Sequence, residues 1–173
     1  MHKSVAANLL AAAGVAIADR IQDPTLSSSA AAALLTIAEW QPIGAQELAG
    51  VVGLSQSATV RLVDELVGAG LARRLDKKGR AVPLALTAAG KRRAQSLQAR
   101  RLATAEQALA SLAPEDRAAL EKALPALLAG LTTGRVCARH LCRFCDFATC
   151  RAGPCPVAAA ATAIDGPFVR PTL

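Results

Sequence analysis

At 173 residues with 53% apolar content, the chain can bury one sizeable core and is too apolar for wholesale disorder. Ala supplies 41 residues while Phe and Trp together supply four and Tyr none, a composition that favours helix over sheet. The formal net charge of +7 favours an anionic partner.

The first eighteen residues have a basic start (His2, Lys3) and end in Ala16-Ile17-Ala18, which resembles a secretory cleavage site. Asn8 interrupts the run, however, and Val5, Leu9, Ala13, Ile17 and Ile21 recur at four-residue spacing, as on one helix face. The run is too short to cross a bilayer. It reads as a structural helix of a cytoplasmic protein with no membrane association. Asp23-Pro24 ends it, Ser27 to Ser29 offer N-caps, and Ala31–Trp40 reads as a second helix closed by Gln41-Pro42.

Two short helices follow, over 44–52 and 55–67, separated by Gly53-Leu54. Ala49 is small where two helices would cross, and Gly53 suits a left-handed turn. Leu48, Val52, Leu54, Leu62 and Leu66 supply the contacts between them, with Thr59 on the same inner stripe. This is the spacing of a helix-turn-helix. Ser55 is the expected N-cap of the second helix, which leaves Gln56, Ser57, Val60 and Arg61 facing outward at its start. Gln56 suits adenine, Arg61 guanine and Val60 a thymine methyl, while Ser57 and Arg61 suit phosphate equally well. Asp64 on the same helix would be repelled by DNA and is expected to pair with a nearby Arg.

The period then changes. Residues 71–75 and 81–86 flank Asp76-Lys77-Lys78-Gly79-Arg80, a β-hairpin pattern, and Pro83 confines its strand to an edge. Between Leu71 and Arg101 stand ten Lys and Arg (73, 74, 77, 78, 80, 91, 92, 93, 100 and 101) against Asp76 alone. A solvated helix face usually mixes both signs, so this one-sided stretch points to nucleic acid. Arg80 at the hairpin tip suits the minor groove, and Arg73, Arg74, Lys77 and Lys78 suit phosphates. Thr87 can cap a helix running to about Ser111. Pro114, Glu115 and Asp116 open another, whose stripe of Leu120, Leu124, Leu127, Leu128 and Leu131 contains Pro125, expected to kink it.

The run LAGVVGLSQSATVRLVDELVGAGLARRLDKKGRAVPLALTAAG resembles the core of MarR-family regulators. Its turn (GLS), recognition helix (RLVDEL), strand (GLARR) and wing (RAVPLALTAAG) occur in the family's order, and the resemblance spans about residues 5–135. It implies a mainly α fold: a winged helix-turn-helix with a small β-hairpin wing, flanked by N- and C-terminal dimerisation helices. It further implies a homodimer on a pseudo-palindromic operator, usually a repressor released by a small-molecule or redox signal. One departure stands out: the family wing often carries Asp two residues before the tip Arg, where this chain has Lys78.

All five cysteines fall between residues 137 and 155. Cys142, Cys145, Cys150 and Cys155 follow C-x2-C-x4-C-x4-C, a zinc-knuckle spacing with Cys in place of His, and four thiolates can close a tetrahedron on zinc. Cys137 and His140 are spare candidate ligands. An iron–sulfur cluster also needs only four Cys, and Pro156 follows the last one. Metal-free redox-reactive thiols are the third reading. The chain thus divides into N-terminal helices (1–40), a DNA-binding region (41–90), C-terminal helices (91–135), a cysteine-rich metal-binding segment (136–158) and a loose tail (159–173).

Catalysis has little support, since the chain lacks G-x-S-x-G and a Gly-rich phosphate loop and has only two His. The expectation is a DNA-binding transcription regulator. Its rival is a zinc-knuckle adaptor for nucleic acid or protein, without operator specificity, in which Phe144 and Phe147 could stack on bases.

Overall fold

The computed structural model describes residues 4–20, 22–79 and 81–170. The order is α1 (Val5–Arg20), α2 (Ser28–Trp40), α3 (Ala45–Val52), α4 (Gln56–Gly68), β1 (Ala72–Arg74), β2 (Leu84–Leu86), α5 (Ala88–Ala110) and α6 (Pro114–Gly130). Then come α7 (Arg135–Leu141), a 3₁₀ turn at Cys142–Phe144, α8 (Phe147–Arg151) and α9 (Pro156–Asp165). Among the described residues no helix is long and apolar enough to cross a membrane.

α2 is the hub. Ser27 caps it, its hydroxyl accepting from the Ala30 amide at 3.1 Å. Ala30, Ala31, Ala32, Ala33, Leu34 and Ile37 are all buried, because a helix apolar on most faces can be covered from several sides. α3, α4, β2, α5 and the 3₁₀ turn all pack on it. Small alanines let those neighbours approach closely, and Leu48, Leu62, Leu66, Leu84 and Leu97 complete the core.

The hairpin is shorter than its sequence pattern. β1 and β2 pair antiparallel with Arg73 opposite Ala85, and β2 begins only at Leu84. Pro83 has no amide to donate, but its carbonyl accepts from the Leu75 amide at 2.8 Å. β2 is not an edge as expected, for its far side exchanges two backbone hydrogen bonds with Ile43, at 2.8 and 3.2 Å. The Gln41 side chain carries that edge onward by accepting from the Leu86 amide at 2.9 Å.

α5 starts hard against the wing. Thr87 caps it, accepting from the Gly90 amide at 3.0 Å while donating to the Gly70 carbonyl at 2.7 Å. A Cβ on Gly90 would fall 1.9 Å from the Leu71 carbonyl oxygen, so only glycine fits there. This gives the family's T-x-x-G sequence a steric reason.

The tail is not loose as expected. Residues 156–165 form α9, which packs on α6 and α7 around Ala138, Val157 and Ala161. Further on, Phe168 meets the Trp40 ring edge-on at 6.1 Å, and Arg170 donates to the carbonyls of Trp40 and Pro42.

Asp23 ties α5 to the start of α2. Its buried carboxylate accepts from the Thr25 amide and hydroxyl (2.8 and 2.7 Å), from Arg93 (2.6 Å) and from Arg100 (2.5 Å). Burial pushes its pKa up, but the Thr25 hydrogen bonds and the two guanidinium groups outweigh it and hold the carboxyl below the ordinary range. A depressed folded pKa adds stability that is complete above the unfolded value and is lost as pH falls through the folded one. Asp23→Asn should therefore cost about 2 kcal/mol or more at pH 7, because it strands two arginines and leaves an imperfect acceptor. The gap between variant and wild type in urea titrations should narrow once pH drops below about 4. A gap that stays constant to pH 2 would contradict the role given to Asp23.

Candidate nucleic-acid interface and the cysteine cavity

α3 ends on Gly53 in the left-handed region at φ 73°, where its amide and that of Leu54 both reach the Ala49 carbonyl. Ser55 then caps α4, its hydroxyl accepting from the Ala58 amide at 3.3 Å. Thr59 is fully buried, its hydroxyl turned back to the Ser55 carbonyl at 2.9 Å, beside Leu62, Val63 and Leu66 in the core. Their burial fixes the rotation of α4, so Gln56, Ser57, Val60 and Arg61 all face solvent. Helix N-terminus and side chains are thus presented together.

Asp64 lies one turn beyond Val60 and Arg61 on the same exposed side. It accepts from the Arg74 guanidinium at 2.6 Å, the pairing its position demanded. That contact holds β1 alongside the exposed face of α4. Arg73, Lys77 and Lys78 are exposed on the wing, while Arg74 divides its charge between Asp64 and solvent. Lys78 and Ala81 exchange backbone hydrogen bonds at 2.9 and 3.0 Å, so the turn is braced by main chain where this chain lacks the family's Asp. Arg80, expected at the tip, lies outside the described residues.

The basic stretch is not all available to a partner. Arg93 and Arg100 hold Asp23. Among the described residues between 71 and 101, Arg73, Lys77, Lys78, Lys91 and Arg92 are exposed cations outside the Asp23 and Asp64 pairs.

Cys142, Cys145, Cys150 and Cys155 all line one cavity of about 460 Å³, although twelve residues lie between the first and the last. Its wall includes Trp40 and Thr36 from α2, Arg135 and Arg139 from α7, and Arg143, Phe147 and Phe168. The Cys142 hydrogen bond, with help from Arg101, lowers the Cys145 thiol to about 6 against the opposing effect of burial. Its hydrogen bond to Cys145 and its own burial push Cys142 far up, and burial followed by the charge of Cys145 pushes Cys150 to about 11. Among the described residues no three His, Cys, Asp or Glu side chains are set to hold a single ion as they stand. The two spare ligands do not join the four. Cys137 donates to the Leu131 carbonyl and His140 bonds the Val51 carbonyl at 3.0 Å, both beside a separate hollow.

Sequence reasoning gave no hint that the cysteine segment docks on the reading unit. Arg139 pairs with Glu47 of α3 at 2.7 Å and stacks over the Trp40 ring at 5.5 Å. The His140 ring lies over the turn, so near that a Cβ on Gly53 would stand 3.0 Å from it.

The geometry matches known proteins. The sequence model described as MarR family matches residues 26–79, which run from the start of α2 into the wing. The fold is a winged helix of the MarR type. Rv1404 from Mycobacterium tuberculosis is similar at 27% identity and TM-score 0.64, over 73% of this chain and 94% of its own. MepR, a transcription regulator of the Staphylococcus aureus multidrug efflux pump MepA, shares the fold at 12% identity and TM-score 0.67, over 75% and 100%. The M. tuberculosis MarR-family protein Rv2887, solved with salicylic acid, shares it at 21% and 0.55, over 72% and 97%. No curated protein matches the chain in sequence. Each neighbour is matched nearly whole, while part of this chain has no counterpart in it.

Gly53→Ala tests the docking of α7 on the turn. The left-handed backbone alone should cost about 1–2 kcal/mol, and displacing His140 should add to it. His140→Ala in the Gly53→Ala background should cost less than it does alone, as read from urea midpoints; strict additivity would show the ring does not rest on the turn.

Proposed function

We propose that this chain is a homodimeric, sequence-specific DNA-binding regulator of the MarR family that represses by occupying a pseudo-palindromic operator. The observation that carries the reading is the capped, solvent-facing start of α4 with the cationic strand β1 tied beside it through Asp64 and Arg74. A duplex meeting that surface places Gln56, Val60 and Arg61 against base edges, and Ser57, Arg73, Lys77 and Lys78 against phosphates.

Mobility shifts against the DNA flanking the protein's own gene, at two salt concentrations, test this. Lys77→Ala and Lys78→Ala should weaken binding to all sequences and flatten the salt slope by about one unit per lysine and protomer. Gln56→Ala should instead relax preference at one base pair at a cost of about 1–3 kcal/mol. Equal affinity for random DNA would discard the operator reading in favour of the nonspecific adaptor.

Dimer formation is supported by the apolar side chains that α1 leaves in solvent: Val5, Leu9, Leu10, Val15 and Ile17 are 74, 62, 53, 61 and 38% exposed. α6 buries none of its residues and adds Leu120 and Leu127, with Leu131 just past its end. Such exposed apolar surface on two helices is what an obligate interface covers. Leu9→Glu with Ile17→Glu should halve the mass seen in sedimentation while leaving helicity unchanged. A wild-type chain that sediments as a monomer at micromolar concentration would refute the dimer.

The inducing signal belongs to the cysteine cavity. Arg139–Glu47 and His140–Val51 connect its wall directly to α3, so a change there alters the packing behind the reading helix.

A further inference from the structure

The four-cysteine cavity offers chemistry that the DNA-contacting surface does not use. All four sulfurs line its wall, and among the described residues no three are set for one ion. A closed zinc site needs four sulfurs about 2.3 Å from a common point, which leaves no room between them. Here the sulfurs instead rim about 460 Å³ of space.

That space is lined in a way that calls for an occupant. Thr36 is 3% exposed, and its buried hydroxyl has no partner. The Nε of Arg139 is likewise buried and unpartnered in the same wall. Buried donors left this way cost free energy unless something accepts from them. Arg135, Arg139 and Arg143 line the cavity, a cationic setting for an anionic guest. The chain's one Trp and two of its three Phe close the wall, a hydrophobic shell that limits water.

From these features we infer that Cys142, Cys145, Cys150 and Cys155 ligate an iron–sulfur cluster, with Thr36 and Arg139 donating hydrogen bonds to its sulfurs. Four thiolates satisfy such a cluster, its sulfurs accept hydrogen bonds, and it fills a volume that one zinc ion leaves empty. Cys137 and His140, turned to Leu131 and Val51, are not ligands. The inference stands whether or not the chain binds an operator, since its readout is the metal centre itself.

The test is analysis of the full-length protein purified without oxygen, for iron, acid-labile sulfide, zinc and visible absorption. Brown protein is expected, carrying about two or about four iron per chain with matching sulfide. Protein isolated colourless is to be treated with ferrous iron and sulfide under reducing conditions, and should then take up the same complement. Cys145→Ser with Cys150→Ser should lower iron at least about tenfold, whereas Cys137→Ser should keep it. Thr36→Val should retain iron but move the reduction potential negative, because a donor to a cluster sulfur is lost; a merely structural Thr36 would leave the potential in place. Stoichiometric zinc without sulfide, or a colourless protein that refuses iron and sulfide, would overturn the assignment. So would iron that survives the double serine variant.

Discussion

The alanine run of α2 is the constraint on which the rest of the molecule depends. Small side chains on nearly every face let α3, α4, β2, α5 and the 3₁₀ turn close on one helix at once. Larger residues would hold those elements apart, and the helix-turn-helix would lose the backing that sets its rotation. The outward placement of Gln56 and Arg61 is therefore a consequence of Leu62, Val63, Leu66 and buried Thr59 settling against α2. Recognition is positioned by packing.

The same dependence reorganises the charge. Ten cations in thirty-one residues look like one electrostatic surface, yet they divide by task once the chain folds. Two clamp Asp23, and one neutralises Asp64 so that the reading helix does not oppose a phosphate backbone. A buried carboxylate that collects two guanidinium groups from α5 is a structural tie. Its cost in desolvation is offset by four hydrogen bonds, two from Thr25 and two from the arginines.

The C-terminal segment turns the winged helix into a molecule with two linked halves. α9 packs on α6 and α7, and α7 in turn braces α3 through Glu47 and the Val51 carbonyl. A cavity bounded by α2 on one side and cysteines on the other touches the core helix and the reading unit together. A group bound there would touch the elements proposed to meet DNA without crossing a long path.

Much of this was legible in the residues themselves. The turn glycine, the Ser55 cap, the inner stripe of α4, the hairpin and the need of Asp64 for an Arg all follow from local rules of capping, periodicity and charge. Those rules act within a few residues, so one chain suffices to read them. They also placed four cysteines at ligand-like spacing. What they could not supply were contacts between segments far apart in sequence: Arg93 and Arg100 with Asp23, Arg139 with Glu47, Phe168 and Arg170 with Trp40, and the folding of residues 156–165 into a packed helix. An Arg has the same composition and the same charge whether it meets a phosphate, a carboxylate or a sulfur. Which one it meets is decided by the packing of α2 and its neighbours, and that is a property of the tertiary structure alone.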